Sequence, residues 1–123
     1  MKLREKIVIL GASENPNRIG YIATKFLFNK GYDVFAVSHR KGEIDGIQLH
    51  DSTERVENAD TVTIFLNPER QKSYYDYILS AKPKRIIFNP GAENHELEVL
   101  ARSQHIQIIS GCTIALFSAG LSI

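Results

Sequence analysis

The sequence predicts an α/β fold, a doubly wound sheet of five parallel strands with helices on both faces, in one domain over residues 1–123. Three observations carry that expectation. Short β-branched apolar runs alternate along the chain with segments of helical periodicity. The runs are continuously apolar, as strands buried on both faces are, and each is bounded by turn residues. A chain of 123 residues is long enough for one buried core.

The elements follow in order. The first strand, 6–11, ends at Gly11, and Ile19, Ile22, Ala23, Phe26 and Leu27 then recur at the spacing of one helix face. Gly31, directly after Lys30, is placed to cap that helix. A second strand, 33–38, leads into "HRKGEIDGIQLHDSTERVENA". Two glycines and scattered polar residues there predict a loop with a short extended piece and one or two helical turns. The third strand is 61–66, followed by Tyr74, Tyr77, Ile78 and Ala81 at helical spacing. The fourth is 85–89, followed by Leu97, Leu100 and Ala101, and the fifth is 106–110. From Thr113 the tail is apolar and uncharged, and Ile114, Leu116 and Phe117 are expected to pack on the sheet, with a homodimer contact as the alternative use of this tail or of the tyrosines. With right-handed crossovers between parallel strands, the result is a small Rossmann-like domain.

Composition narrows the function. The formal net charge is +1 and the charges are spread evenly, so no basic stripe points to nucleic acid. Cys112 is the single cysteine, which excludes an internal disulfide and fits a reducing, cytoplasmic setting. No stretch approaches the roughly 20 apolar residues of a membrane helix, so no membrane partner is expected.

Chemistry concentrates at the C-terminal ends of the strands. In "IVILGASENPNRIGY", Gly11 lets the strand turn sharply, Ala12 keeps the approach open, and Ser13 stands where a dinucleotide fingerprint has its second glycine. The helix starting near residues 17–19 directs free N–H groups from Ile19 onward at whatever sits above the loop, and Arg18 adds a cation, so the site suits a pyrophosphate. Asn-Pro occurs at Asn15-Pro16, Asn67-Pro68 and Asn89-Pro90, each beyond or at the end of a strand; as turn chemistry this is ordinary, but three on the ligand edge make Asn67 and Asn89 candidate contacts. The second strand ends in Ser38, His39, Arg40 and Lys41, where an NAD site has an acid for the ribose diol. Cations there favour a ribose bearing a phosphate, at the 2′ position in NADP or the 3′ position in coenzyme A.

Catalytic machinery is not evident. His39, His50, His95 and His105 lie in separate elements without metal-ligand spacing, and Ser13 lacks a nucleophile elbow.

Taken in order, "GASENPNRIGY", "GYDV", "GEIDG", "TVTIFLNPERQ", "RIIFNPGAEN" and "SGCT" resemble the small stand-alone CoA-binding domain family, Rossmann-like proteins related to the nucleotide-binding part of the succinyl-CoA synthetase α-subunit. The resemblance spans roughly residues 5 to 118. It implies coenzyme A along the C-terminal edge of the sheet, with the diphosphate on Gly11-Ala12-Ser13 and the following helix. The adenosine end would lie near Ser38 to Lys41, with further contacts at Leu66-Asn67 and Asn89-Pro90-Gly91. Many members have Asn-Pro where this chain has Ser38-His39, and no acyl-CoA ligase activity is implied. Cys112, after the last strand, is a candidate for a mixed disulfide with the pantetheine sulfur, against the plainer role of a small buried apolar residue.

The leading expectation is a non-catalytic module that binds coenzyme A or an acyl-CoA. An NADP-dependent small oxidoreductase or nucleotide sensor is the alternative, and an interaction protein with ligand-dependent surfaces is the third.

Overall fold

The computed structural model describes residues 4–121. Its core strand, β1 (Lys6–Leu10), is buried at Ile7, Val8, Ile9 and Leu10 and pairs in parallel with β2 (Asp33–Val37) on one side and β5 (Thr61–Ile64) on the other. The sheet continues through β6 (Arg85–Phe88) and β7 (Gln107–Ser110), both parallel. Beyond β2, in the segment that the sequence predicts as a loop with a short extended piece, lie two strands, β4 (Ile47–His50), parallel to β2, and β3 (Gly42–Ile44), antiparallel to β4. The sheet therefore has seven strands, in the order β3-β4-β2-β1-β5-β6-β7, and not five.

Pleating sorts the strand residues onto two helical layers. Ile7 and Ile9 face α1 (Ile19–Asn29) and α5 (Thr113–Ser118), where Leu27 and Phe117 meet the hairpin residues Ile44, Ile47 and Leu49. Val8 and Leu10 face the opposite way, with Val62, Ile64, Ile86 and Phe88. There they meet Tyr77 and Ile78 of α3 (Tyr75–Ser80) and Leu97 and Ala101 of α4 (His95–Arg102). Helices thus cover both faces, as expected. The tail residues beyond Leu121 lie outside the described residues.

Helix α1 buries Gly20, Ala23, Thr24 and Leu27, a face turned from the predicted one, while Ile19 and Ile22 remain 49% and 45% exposed. It ends in a Schellman motif: Tyr32 N–H donates to Leu27 O and Gly31 N–H to Phe28 O, with Gly31 at φ +93°. A short helix α2 (Pro68–Gln71) and a 3-10 turn (Lys72–Tyr74) precede α3.

At the N-terminal edge of the sheet a buried ion pair joins three strand starts. Arg85 Nη2 lies 2.7 Å from Glu5 Oε2, its Nε donates to Thr61 Oγ1 at 2.7 Å, and the Thr61 hydroxyl donates to Glu5.

Candidate functional site

The sheet changes winding direction between β1 and β5: the chain leaves β1 through α1 toward β2, and leaves β5 through α2 and α3 toward β6. Outside the carboxyl ends of these two strands, a doubly wound sheet opens a crevice. Here the crevice is a cleft of about 750 Å³.

Its centre is the first strand-to-helix turn. Gly11, at φ +104°, turns the chain with its Cα facing Phe65 and Leu66, and a methyl group there would stand 3.1 Å from Phe65 Cβ. The N–H groups of Gly11 and Ala12 both donate to Val37 O at 3.0 Å, so both are used to fix the turn to β2. That departs from the expected role of these two amides. Ser13, Ile19 and Gly20 keep N–H groups with no intramolecular acceptor among the described residues, and all three line the cleft. Ser13 Oγ accepts the Asn15 N–H at 3.0 Å, and Asn15 Oδ1 accepts the Asn17 N–H at 3.0 Å, which holds the loop in two successive turns. Asn15 itself points its amide into this turn and is not part of the cleft wall.

Helix α1 begins without a side-chain cap and without an acid in its first turn. Its first-turn dipole is therefore left uncompensated at the cleft. Gly20 permits the close seat: a methyl group there would fall 2.1 Å from Gly11 O.

On the β2 side the wall is Val37, Ser38 and His39. Arg40 and Lys41 fall outside it. Lys41 Nζ lies 3.4 Å from Glu54 Oε1, and the other carboxylate oxygen of Glu54 is hydrogen-bonded to His50 Nδ1. His50 stacks on Phe35 with ring centroids 4.0 Å apart. The His50 hydrogen bond, reinforced by Lys41, holds the Glu54 carboxyl below its ordinary range. Close by, Tyr77 donates to Glu54 O at 2.8 Å, and burial pushes its phenol up to about 12.

The β5 and β6 side carries Phe65, Leu66, Asn67, Arg70, Ser73, Tyr74, Pro90 and Gly91. Asn67 caps α2, its Oδ1 accepting the Arg70 N–H at 2.9 Å, and the residue lines the cleft. Asn89 is not a wall residue. It is buried, donating to Thr63 Oγ1 and Ile64 O at 2.8 and 2.9 Å and accepting the Thr113 N–H at 2.9 Å, so it ties β5, β6 and α5 together beneath the cleft. Gly91 N–H is taken by Glu93 Oε1 at 2.8 Å. Fully buried Gln71 joins the two loops of this wall by donating to Leu66 O and Ala92 O, and it accepts from Asn94, the cap of α4. Cys112 is half-buried at the start of α5 and does not line the cleft.

Among the described residues no aspartate or glutamate lines the cleft, whereas Arg18, Arg70 and His39 do. Neither arginine has an ion pair among the described residues. The wall therefore carries cationic side chains and no carboxylate. Sequence reading reaches Arg18 but misses Arg70 and Gly20; a glycine inside a helical pattern was the available signal for the latter.

The family model described as the CoA binding domain matches residues 5–118. The chain belongs to the CoA binding domain family. Among solved structures, this CoA binding domain is similar to an uncharacterised protein at 43% identity and TM-score 0.90, over 97% of this chain and 98% of the other. It is also similar to a conserved hypothetical protein from Pyrococcus furiosus, at 26% identity and TM-score 0.76, over 90% of this chain and 97% of the other. A hypothetical protein from Pyrococcus horikoshii OT3 shares the fold at 24% identity and TM-score 0.83, over 98% and 86% of the two chains. Among the described residues no group of histidine, cysteine, aspartate or glutamate could hold a metal ion, and no helix is long and apolar enough to cross a membrane.

Proposed function

We propose that the protein is a binding module for coenzyme A or an acyl-CoA, with the ligand lying across the ends of β2, β1 and β5. The observation that carries this reading is the acid-free cleft in which unpaired Arg18 stands beside the open N–H groups of Ser13, Ile19 and Gly20. Those groups suit a diphosphate: main-chain donors at a helix start supply direction, and the guanidinium supplies charge. A cleft of about 750 Å³ lies in the range of cofactor sites.

The adenosine end belongs on the β2 side, over Ser38 and His39, by the general placement of nucleotides in this class of fold. The 3′-phosphate is assigned to the rim formed by His39, Arg40 and Lys41. Lys41 is bound to Glu54, but the pair is exposed, 58% and 37% at the two side chains. Pairs of that kind are worth about 0–1 kcal/mol, so a phosphate can replace Glu54 at little cost. Leu66, Asn67, Pro90 and Gly91 then border the pantetheine arm.

Isothermal titration calorimetry tests the reading. Coenzyme A is expected to bind more tightly than dephospho-CoA and NADPH, and Arg18→Ala to weaken coenzyme A binding by about tenfold to a hundredfold, the scale of a charge-assisted hydrogen bond. Absence of binding to coenzyme A at millimolar concentration refutes the assignment. Hydride transfer from NADPH to a carbonyl substrate replaces it with an oxidoreductase.

A further inference from the structure

Arg70 poses a problem that coenzyme A alone does not solve. On the ligand path just proposed, the diphosphate meets Arg18 and the α1 amides, while the part that extends over β5 and β6 is the pantetheine arm, which carries two amides and a thiol but no charge. Yet the wall on that side holds an arginine, with Asn67, Ser73 and Tyr74 beside it.

Among the described residues this guanidinium has no ion pair. Glu69 of the same helix pairs with Lys72 at 3.3 Å. Asp76 pairs with Arg55 at 3.1 Å, Glu93 accepts the Gly91 N–H at 2.8 Å, and Glu96 accepts the Tyr75 hydroxyl at 2.9 Å. The acids close in sequence to this wall are thus engaged elsewhere, and none of them enters the cleft. The Arg70 backbone is also fixed, since its N–H is held by the Asn67 cap. The side chain itself is exposed on the cleft wall, and an arginine there without an ion pair can receive a carboxylate through two parallel hydrogen bonds.

We infer that the protein selects coenzyme A thioesters whose acyl group ends in a carboxylate, with Arg70 as the residue that reads it, an inference resting on the coenzyme A reading above. Ser73, Tyr74 and Asn67, which line the same wall, are polar residues available to complete the carboxylate's hydrogen bonds. A neutral acyl group, or the bare thiol, leaves Arg70 to water.

Calorimetry with coenzyme A, acetyl-CoA, malonyl-CoA and glutaryl-CoA tests the assignment on the parent protein and on Arg70→Ala and Arg70→Lys. At least one of the two carboxylate-bearing thioesters is expected to bind about tenfold to a hundredfold more tightly than acetyl-CoA. Arg70→Ala is expected to erase that ratio while leaving coenzyme A and acetyl-CoA affinities as they were, and Arg70→Lys to keep part of it. Equal affinity for acetyl-CoA and both carboxylate thioesters in the parent overturns the inference, with coenzyme A binding intact. So does a uniform loss for all four ligands in Arg70→Ala, which places Arg70 on the diphosphate. Failure of all four to bind the folded parent removes the coenzyme A reading and the acyl inference together.

Discussion

Gly20 sets the distance between the first helix and the turn that feeds it. An alanine there brings a methyl group to 2.1 Å from Gly11 O, and because that oxygen belongs to the backbone, the helix itself must move. Overpacking of this kind costs about 1–3 kcal/mol. Gly20→Ala is therefore expected to lower stability by that amount in urea denaturation and, because Ile19 and Gly20 N–H shift with the helix, to weaken coenzyme A binding as well. An unchanged affinity in the folded variant would remove these amides from the site. Residues such as Gly11, Ser13 and Arg18 were legible in the sequence because a strand, a glycine and a helix start fix their setting locally. Arg70 was not. It enters the cleft only because the crossover after β5 returns across the edge of the sheet, and a charged residue in "NPERQ" carries no mark of that.

The outer hairpin shows the same division among elements. Its strands are only three and four residues long. Yet Asp45 and Gly46, at φ 46° and 87°, form the two-residue turn that an Asp-Gly pair favours, and Ile44, Ile47 and Leu49 alternate with exposed Glu43 and Gln48. The signal was present in "EIDGIQL" and was outweighed by the glycines and charges around it. The rotation of α1 was not legible, because Ile19 and Ile22 fit an apolar stripe as well as the small residues that the sheet takes. Helix α4 depends on Asn94, whose Oδ1 accepts the Leu97 N–H at 3.1 Å and whose Nδ2 donates to Gln71. Asn94→Ala is expected to cost about 1 kcal/mol for the cap. A further amount of about 1–3 kcal/mol follows for the Gln71 carbonyl left unpaired. Chemical denaturation measures the sum, to which the Asn94 bond to the Tyr75 hydroxyl at 2.9 Å also contributes, and a loss below about 1 kcal/mol would mean that water replaces these bonds.

Across the whole molecule, the two edges of the sheet have different tasks. The carboxyl edge leaves cations and N–H groups open, while the amino edge holds a buried cluster of Glu5, Thr61 and Arg85. Removing one charge of a buried pair costs about 3–5 kcal/mol. Glu5→Gln is expected to lower the thermal midpoint markedly yet leave coenzyme A affinity unchanged in the fraction that remains folded, and a parallel loss of affinity would show that the edges are coupled. The alternation of strands and helices made this polarity legible from the start, since parallel strands send all their carboxyl ends one way. Between the margin of the sheet and its centre runs one connection of a different kind. Glu14, in the turn after β1, reaches the outermost hairpin, where Glu43 N–H donates to its Oε2 at 3.1 Å and where a methyl group on Gly42 would come within 2.6 Å of its carboxyl carbon. The loop is thereby braced from the periphery before a ligand arrives. Conformational freedom that would otherwise be lost on association is already given up on folding. On the coenzyme A reading, the outermost strands are expected to favour binding through preorganisation of this loop.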